Sequence, residues 1–248
     1  MIILAGKIIS DDLLRHLEET KQPVLDNAYA RERGAGFKLK LVPEAEAKAR
    51  ILAGERLYTT NEDALTWVYE NLKDSPLIEK IDVMKDKAAL RDKLAYLYPD
   101  FFYKDLSKEE LFSIDPETLK YPLILKLTVG FGSLGVYTLF GPEDLKAAKA
   151  DIEAHFEEWR SSYTDGVVGS RFLLEELIDG TELAVDVYYD TEGKPVILNV
   201  YEHRFASARD VSDRLYCCGP SVMDKWYEKL MAYFTEVGNR LQVKDFPL

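Results

Sequence analysis

The segment Tyr121-Pro-Leu-Ile-Leu-Lys126-Leu-Thr-Val-Gly130-Phe-Gly132-Ser133-Leu-Gly135-Val136 restricts the possible folds more than any other in the chain. It opens as an apolar strand interrupted by one lysine, passes through a turn with three glycines and a serine, and enters a second apolar strand, Gly135 to Phe140. Side chains alternate along a strand, so Ile124 and Lys126 share one face while Leu123, Leu125 and Leu127 take the other. Lys126 is therefore placed, not scattered. Glycines let backbone N–H groups approach an anion, and a nearby ammonium supplies the point charge that phosphate oxygens favour. A nucleotide phosphate suits this chemistry. The plainer alternative is a glycine-rich hairpin with a stray lysine, because a short glycine motif has low specificity.

Around this segment the chain alternates strands and helices. Met1 to Ala5 reads as a strand, with Ser10 capping a helix whose Leu13, Leu14 and Leu17 turn inward. Pro23 to Asn27 and Arg56 to Thr60 read as further strands. Asn61 is placed to cap a helix running to Leu72, with Ala64, Leu65 and Val68 on its inner stripe. This order predicts a small parallel α/β domain. A helix from Asp86 stops before Pro99, a short helix is expected around Lys108 to Phe112, and Pro142 opens a longer one with Leu145, Ala148, Ile152, Phe156 and Trp159 inward. Phe172 to Ile178 is a short strand ending in two acids, Glu175 and Glu176, of which Glu175 is expected to face inward. Glu182 to Tyr189 and Pro195 to Tyr201 form an antiparallel pair around Asp190 to Gly193. Glu182 shares a strand face with Asp186, as His203 does with Asn199 and Tyr201. Ser221 and Asp224 resemble a capping box opening a long amphipathic helix. His16 and His155 read as surface and packing residues.

Composition sets bounds on function. A net charge of -12 over 248 residues argues against a general polyanion surface, so no nucleic-acid partner is expected. No stretch approaches the length of a membrane span and the apolar N-terminal run is short for a signal peptide, so a cytoplasmic protein without a membrane partner is expected. Cys217 and Cys218, the only cysteines, read as reduced structural thiols and offer no thiolate metal site.

The order of parts — α/β domain, strand lysine, glycine hairpin, helix, acid-ended strand, antiparallel pair — resembles the ATP-grasp superfamily of the carboxylate–amine ligase type, over nearly the whole chain. The resemblance implies a mixed α/β and α+β fold: a small Rossmann-like pre-ATP-grasp domain over 1–84, a first lobe with the glycine-rich loop over 85–173, and a second, incomplete lobe over 174–248. It implies ATP with Mg²⁺, small-molecule carboxylate and amine substrates, and room for a homodimer. Lys126 is similar to the family's strand lysine on the phosphates, and Lys87 to its other nucleotide-contacting lysine, although Lys85, Arg91 and Lys93 beside it also fit a solvated face. Gly130, Gly132, Ser133 and Gly135 resemble the phosphate loop. Glu175 stands where the hinge acid meets adenine, with the main chain of Glu176, Leu177 and Ile178 beside it, and Glu182 is similar to the ribose acid. His203 and Arg204, with Arg209 and Arg214, are candidates for binding phosphate or a substrate carboxylate.

The sequence departs from the family's pattern in its metal acids. The usual glutamate and asparagine one residue apart are missing after Arg214, so no metal ligand is assigned and the Mg²⁺ ligands are expected mostly beyond Leu248, the chain being a fragment. The expected activity is formation of an amide-type bond through an acyl phosphate; the alternative is an ATP-binding regulatory module without turnover.

Overall fold

The computed structural model describes residues 1–6, 8–130, 133–162, 171–207, 210, 215–244 and 246–247. They form two compact units, Met1–Glu79 and Lys80–Leu248. In the first, strands β1 (Ile2–Ile3), β2 (Pro23–Leu25), β3 (Lys40–Val42) and β4 (Tyr58–Thr59) make a parallel sheet in the order β3-β2-β1-β4. Helices α1 (Asp11–Thr20), α2 (Ala28–Arg33), α3 (Glu44–Leu52) and α4 (Ala64–Asn71) alternate with them. The Ser10 hydroxyl accepts the Leu13 N–H and two aspartates occupy the first turn of α1, which favours acids at that end of the helix. Leu14 and Leu17 then enter a core with Leu4 and Val24. One expectation needs correcting: the Asn61 side chain accepts the Asp63 N–H in a turn before α4, and Asp63 holds the cap position. Helix α5 (Pro76–Lys85) follows.

The second unit holds two antiparallel sheets. Strands β5 (Tyr103–Ser107), β6 (Leu123–Leu127), β7 (Tyr137–Leu139) and β8 (Arg171–Glu176) are ordered β5-β8-β6-β7. Strands β9 (Leu183–Tyr189), β10 (Pro195–His203), β11 (Tyr216–Cys217) and β12 (Phe246–Pro247) are ordered β11-β10-β9-β12. Helices α6 (Lys87–Leu94), α7 (Lys108–Ser113), α8 (Pro142–Ser162) and α9 (Pro220–Leu241) complete it.

The alternation read from the sequence of β6 holds. Leu123, Leu125 and Leu127 are buried and pack with Phe172 and Leu174 against Leu145, Ala148, Ile152 and Phe156 of α8. Each such side chain contributes about 1.5–3 kcal/mol on burial. Because Ile124 pairs with Glu175 and Lys126 with Leu173, the other face of the sheet carries these four side chains together. The capping box expected at Ser221 is not formed: α9 begins at Pro220 with Gly219 as its cap, since proline is preorganised for the first helical position. Among the described residues no helix is long and apolar enough to cross a membrane.

Candidate functional site

A cleft of about 690 Å³ lies within the second unit. Its floor is formed by Ile124 and Lys126 of β6, Thr138 of β7 and Val136 just before β7. The segment after β8, Leu177 to Gly180, forms one wall, and Glu182, His203 and Tyr216 form another. Phe140 and Ile178, which line the same space, are 40% and 64% exposed, so the cleft offers apolar surface to a flat group. Lys126 stands at its cationic part and Asp179, Glu182 and Asp210 supply acids elsewhere. A nucleotide has matching parts, with anionic phosphates that favour an ammonium and ribose hydroxyls that donate to carboxylates.

Lys126 is held by Glu175. Its Nζ lies 2.6 Å from Glu175 Oε1, while Arg91 Nε lies 2.8 Å from Glu175 Oε2. Burial alone would lift the Glu175 carboxyl, but the Arg91 hydrogen bond and the Lys126 charge outweigh it and hold its pKa below the ordinary carboxylate value. Arg91 also lies over the Phe101 ring, 4.6 Å from its centre. Lys87, one helical turn before Arg91, donates from Nζ to the Gly130 carbonyl at 3.0 Å and so braces the glycine turn. Asp86 sets this geometry by capping α6 through the Ala88 and Ala89 N–H groups.

The turn itself places Ser133 and Gly135 at φ of 61° and 64°, a left-handed conformation that glycine adopts without strain and serine rarely. Across the cleft, Glu182 Oε1 lies 2.8 Å from His203 Nδ1, and the His203 N–H donates to the Glu182 carbonyl at 2.9 Å. The His203 ring stacks on Tyr216 at 4.4 Å and 15° and meets Phe205 at 4.0 Å. Asp186, four residues further along and within β9, is reached by Asn199 Nδ2 at 3.2 Å and the Tyr201 hydroxyl at 3.4 Å.

Lys126, Ser133, Leu177, Ile178, Glu182 and His203 therefore meet in one cleft. Glu175 is buried beside it as the partner of Lys126, whereas Glu176 points to solvent. Lys87, Gly130 and Gly135 belong to the turn and its brace. Arg204 is drawn to Glu202, which also accepts from Lys225 Nζ at 2.7 Å and Trp226 Nε1 at 2.9 Å. Gly132, Arg209 and Arg214 lie outside the described residues. Sequence reasoning gave no role to Arg91, Phe205 and Tyr216. The spacing of Arg91 four residues after Lys87 was its only signal, and Tyr216 left none.

Two antiparallel sheets sharing a cleft, with a lysine and glycine turn on one and a carboxylate–histidine pair on the other, define the class. A family model described as ATP-grasp domain matches residues 119–248, more than half of the chain, and the chain belongs to that family. Its fold is similar to that of an L-amino acid ligase from Bacillus licheniformis, at 16% identity and a TM-score of 0.66 over 98% of this chain and 61% of the other. It is also similar to a biotin carboxylase from Campylobacter jejuni, at 15% identity and a TM-score of 0.62 over 98% and 59%. An N5-carboxyaminoimidazole ribonucleotide synthetase from Thermotoga maritima follows at 16% and 0.55, over 97% and 60%. The chain thus spans about three fifths of the length of these three proteins. No curated protein matches it in sequence.

Proposed function

We propose that this chain forms the nucleotide cleft of an ATP-dependent ligase that joins a carboxylate to an amine. In that reaction a carboxylate oxygen attacks the γ-phosphorus, ADP leaves, and the amine then attacks the acyl carbon and expels phosphate, losing a proton. Such chemistry needs positioning and charge neutralisation more than a protein nucleophile. Lys126 and Lys87 meet the phosphates, Gly130, Ser133 and Gly135 border them and help exclude water, and the main chain from Glu176 to Ile178 borders the adenine. Glu182, steadied by His203, receives the ribose hydroxyls. Magnesium would neutralise the β- and γ-phosphates. Among the described residues no three His, Cys, Asp or Glu side chains gather to hold a metal ion, so these residues do not form its shell by themselves. The unit Met1–Glu79 takes the place of a pre-ATP-grasp domain in this reading.

The observation that carries the proposal is the meeting of Lys126, Ser133 and Glu182 around one cleft. Calorimetric titration of Lys126→Ala with ATP is expected to show at least a tenfold loss of affinity, about 1.4 kcal/mol. Unchanged affinity would falsify the assignment. ATP binding with no ADP release over a panel of carboxylic and amino acids would instead favour a regulatory module.

A further inference from the structure

The described part of the glycine turn after β6 rests on side chains of its own lobe. A Cβ added at Gly130 would lie 3.4 Å from Leu127 Cβ, and one at Gly135 would lie 3.5 Å from Leu127 Cδ1 and 3.2 Å from Trp159 Cζ3. Ordinary carbon–carbon packing is about 3.5–4.0 Å, so Gly135 lays its bare backbone against the indole edge with no room for a side chain between. Its φ of 64° favours glycine for a second, independent reason. Trp159 is more than the end of the α8 core stripe. Leu145, Ala148, Ile152 and Phe156 on that stripe are buried, whereas Trp159 is only partly buried and packs against their cluster. The indole is held from its other side by His155, one helical turn earlier, whose ring lies 6.3 Å away and 20° from parallel. His155 Nδ1 lies 2.9 Å from Asp151 Oδ1, and Asp151 Oδ2 accepts the Tyr137 hydroxyl at 2.6 Å. Asp151, His155 and Trp159 recur at four-residue intervals and so share one stripe of α8. This stripe ties β7, through Tyr137, and the turn before it, through Gly135, to the same helix. Ser133, two residues before Gly135, lines the nucleotide cleft.

We infer that Trp159 is a positioning residue for the nucleotide cleft: with His155 and Asp151 it forms a rail along α8 that seats Gly135 and thereby fixes where Ser133 meets the phosphates. A turn held in place before the ligand arrives loses less conformational freedom on binding, so the seat raises affinity for the part of the ligand that the turn touches. That role toward phosphates rests on the nucleotide reading; the seat itself does not.

Hydrogen exchange followed by mass spectrometry on the whole chain, without nucleotide, tests the seat. The Val136 N–H donates to the Ser133 carbonyl at 3.3 Å, so its exchange reports opening of the turn. Trp159→Leu is expected to speed exchange at Gly135 and Val136 about tenfold while the amides of Leu123 to Leu125 in β6 stay within about twofold of wild type. His155 is 47% exposed, so His155→Ala spares the core; it is expected to speed the same amides about threefold, and it decides the outcome if Trp159→Leu does not fold. Unchanged exchange at Gly135 and Val136 in a folded variant overturns the inference. Calorimetric titration with ATP and with adenosine, which carries no phosphate, then tests the role. Trp159→Leu should weaken ATP about tenfold and adenosine less than about twofold, and Trp159→Phe, which keeps a ring under the turn, should hold ATP within about threefold of wild type. Equal losses for the two ligands, or no loss for ATP, would assign Trp159 to packing alone and overturn its positioning role. Wild-type protein that binds no ATP removes the nucleotide reading, and the exchange result still decides the seat.

Discussion

At the scale of single residues, Glu175 decides how Lys126 is presented. Its carboxylate is 5% exposed and touches two cations whose side chains are 31% and 22% exposed, so it is the buried member of the group. Removing one partner of a fully buried pair costs about 3–5 kcal/mol because a charge is left uncompensated. Here both cations keep some water, which lowers the figure. Glu175→Gln is therefore expected to lose about 2 kcal/mol in urea denaturation, with an unchanged m-value. A loss within experimental error would mean that the two cations are solvated well enough without it. The inward position of Glu175 was readable from strand alternation, since only one of two adjacent acids can face the sheet's inner side. Its partnership with Arg91 was not, because the two residues are far apart in sequence and Arg91 sits among other charges that suit an exposed helix face.

At the scale of elements, the packing of α9 on β9 depends on one missing side chain. Tyr189 is fully buried and donates from its hydroxyl to the Phe234 carbonyl at 2.6 Å, which lays its ring across Gly238. A Cβ at position 238 would come within 2.5 Å of Tyr189 Cε1. Alanine normally stabilises a helix interior by up to about 1 kcal/mol over glycine. Overpacking against a ring that has no room to move costs about 1–3 kcal/mol, and it should win here. Gly238→Ala is expected to lower stability by about 1 kcal/mol net in chemical denaturation, and a stabilised variant would show that the ring yields. Legibility at this scale followed periodicity. The leucines of β6 and the apolar stripes of α8 and α9 announced themselves, while α3, rich in alanine and charge, and β5, a strand with a single buried residue, Leu106, gave almost no pattern. The hairpin of β9 and β10 was visible, but the shift in its register between Ile197 and Asn199 depends on the partner strand and left no local mark.

At the scale of the whole molecule, stability should be bounded on both sides by pH. On the acid side, Glu175, Glu55, Asp26 and Glu202 have folded pKa values held below their ordinary ones. Burial opposes this at Glu175 and Glu55, and hydrogen bonds from cationic partners, including Arg91 and the N-terminal ammonium, outweigh it; at Asp26 and Glu202 the hydrogen bonds from Arg31 and Lys225 dominate. Groups depressed in this way contribute stability above the unfolded pKa, near 4, which is lost as pH falls through the folded values. On the alkaline side the phenols of Tyr137 and Tyr189 are raised, chiefly by burial, with Asp151 adding to the effect at Tyr137 and Tyr233 at Tyr189. Their contribution is complete below about pH 10 and disappears as pH rises through the folded values. The net charge of -12 at pH 7 adds a weaker trend, because self-repulsion relaxes as pH approaches the isoelectric point near 4.9. Melting temperature measured from pH 3 to pH 11 should accordingly form a plateau between about pH 5 and 9, with a fall on either side. Replacing both Tyr137 and Tyr189 by phenylalanine should lower the plateau, since two hydrogen bonds are lost, and flatten the alkaline limb. An alkaline limb that stays equally steep in that double variant would assign the fall to other groups, with lysine deprotonation across the ion pairs the first to examine.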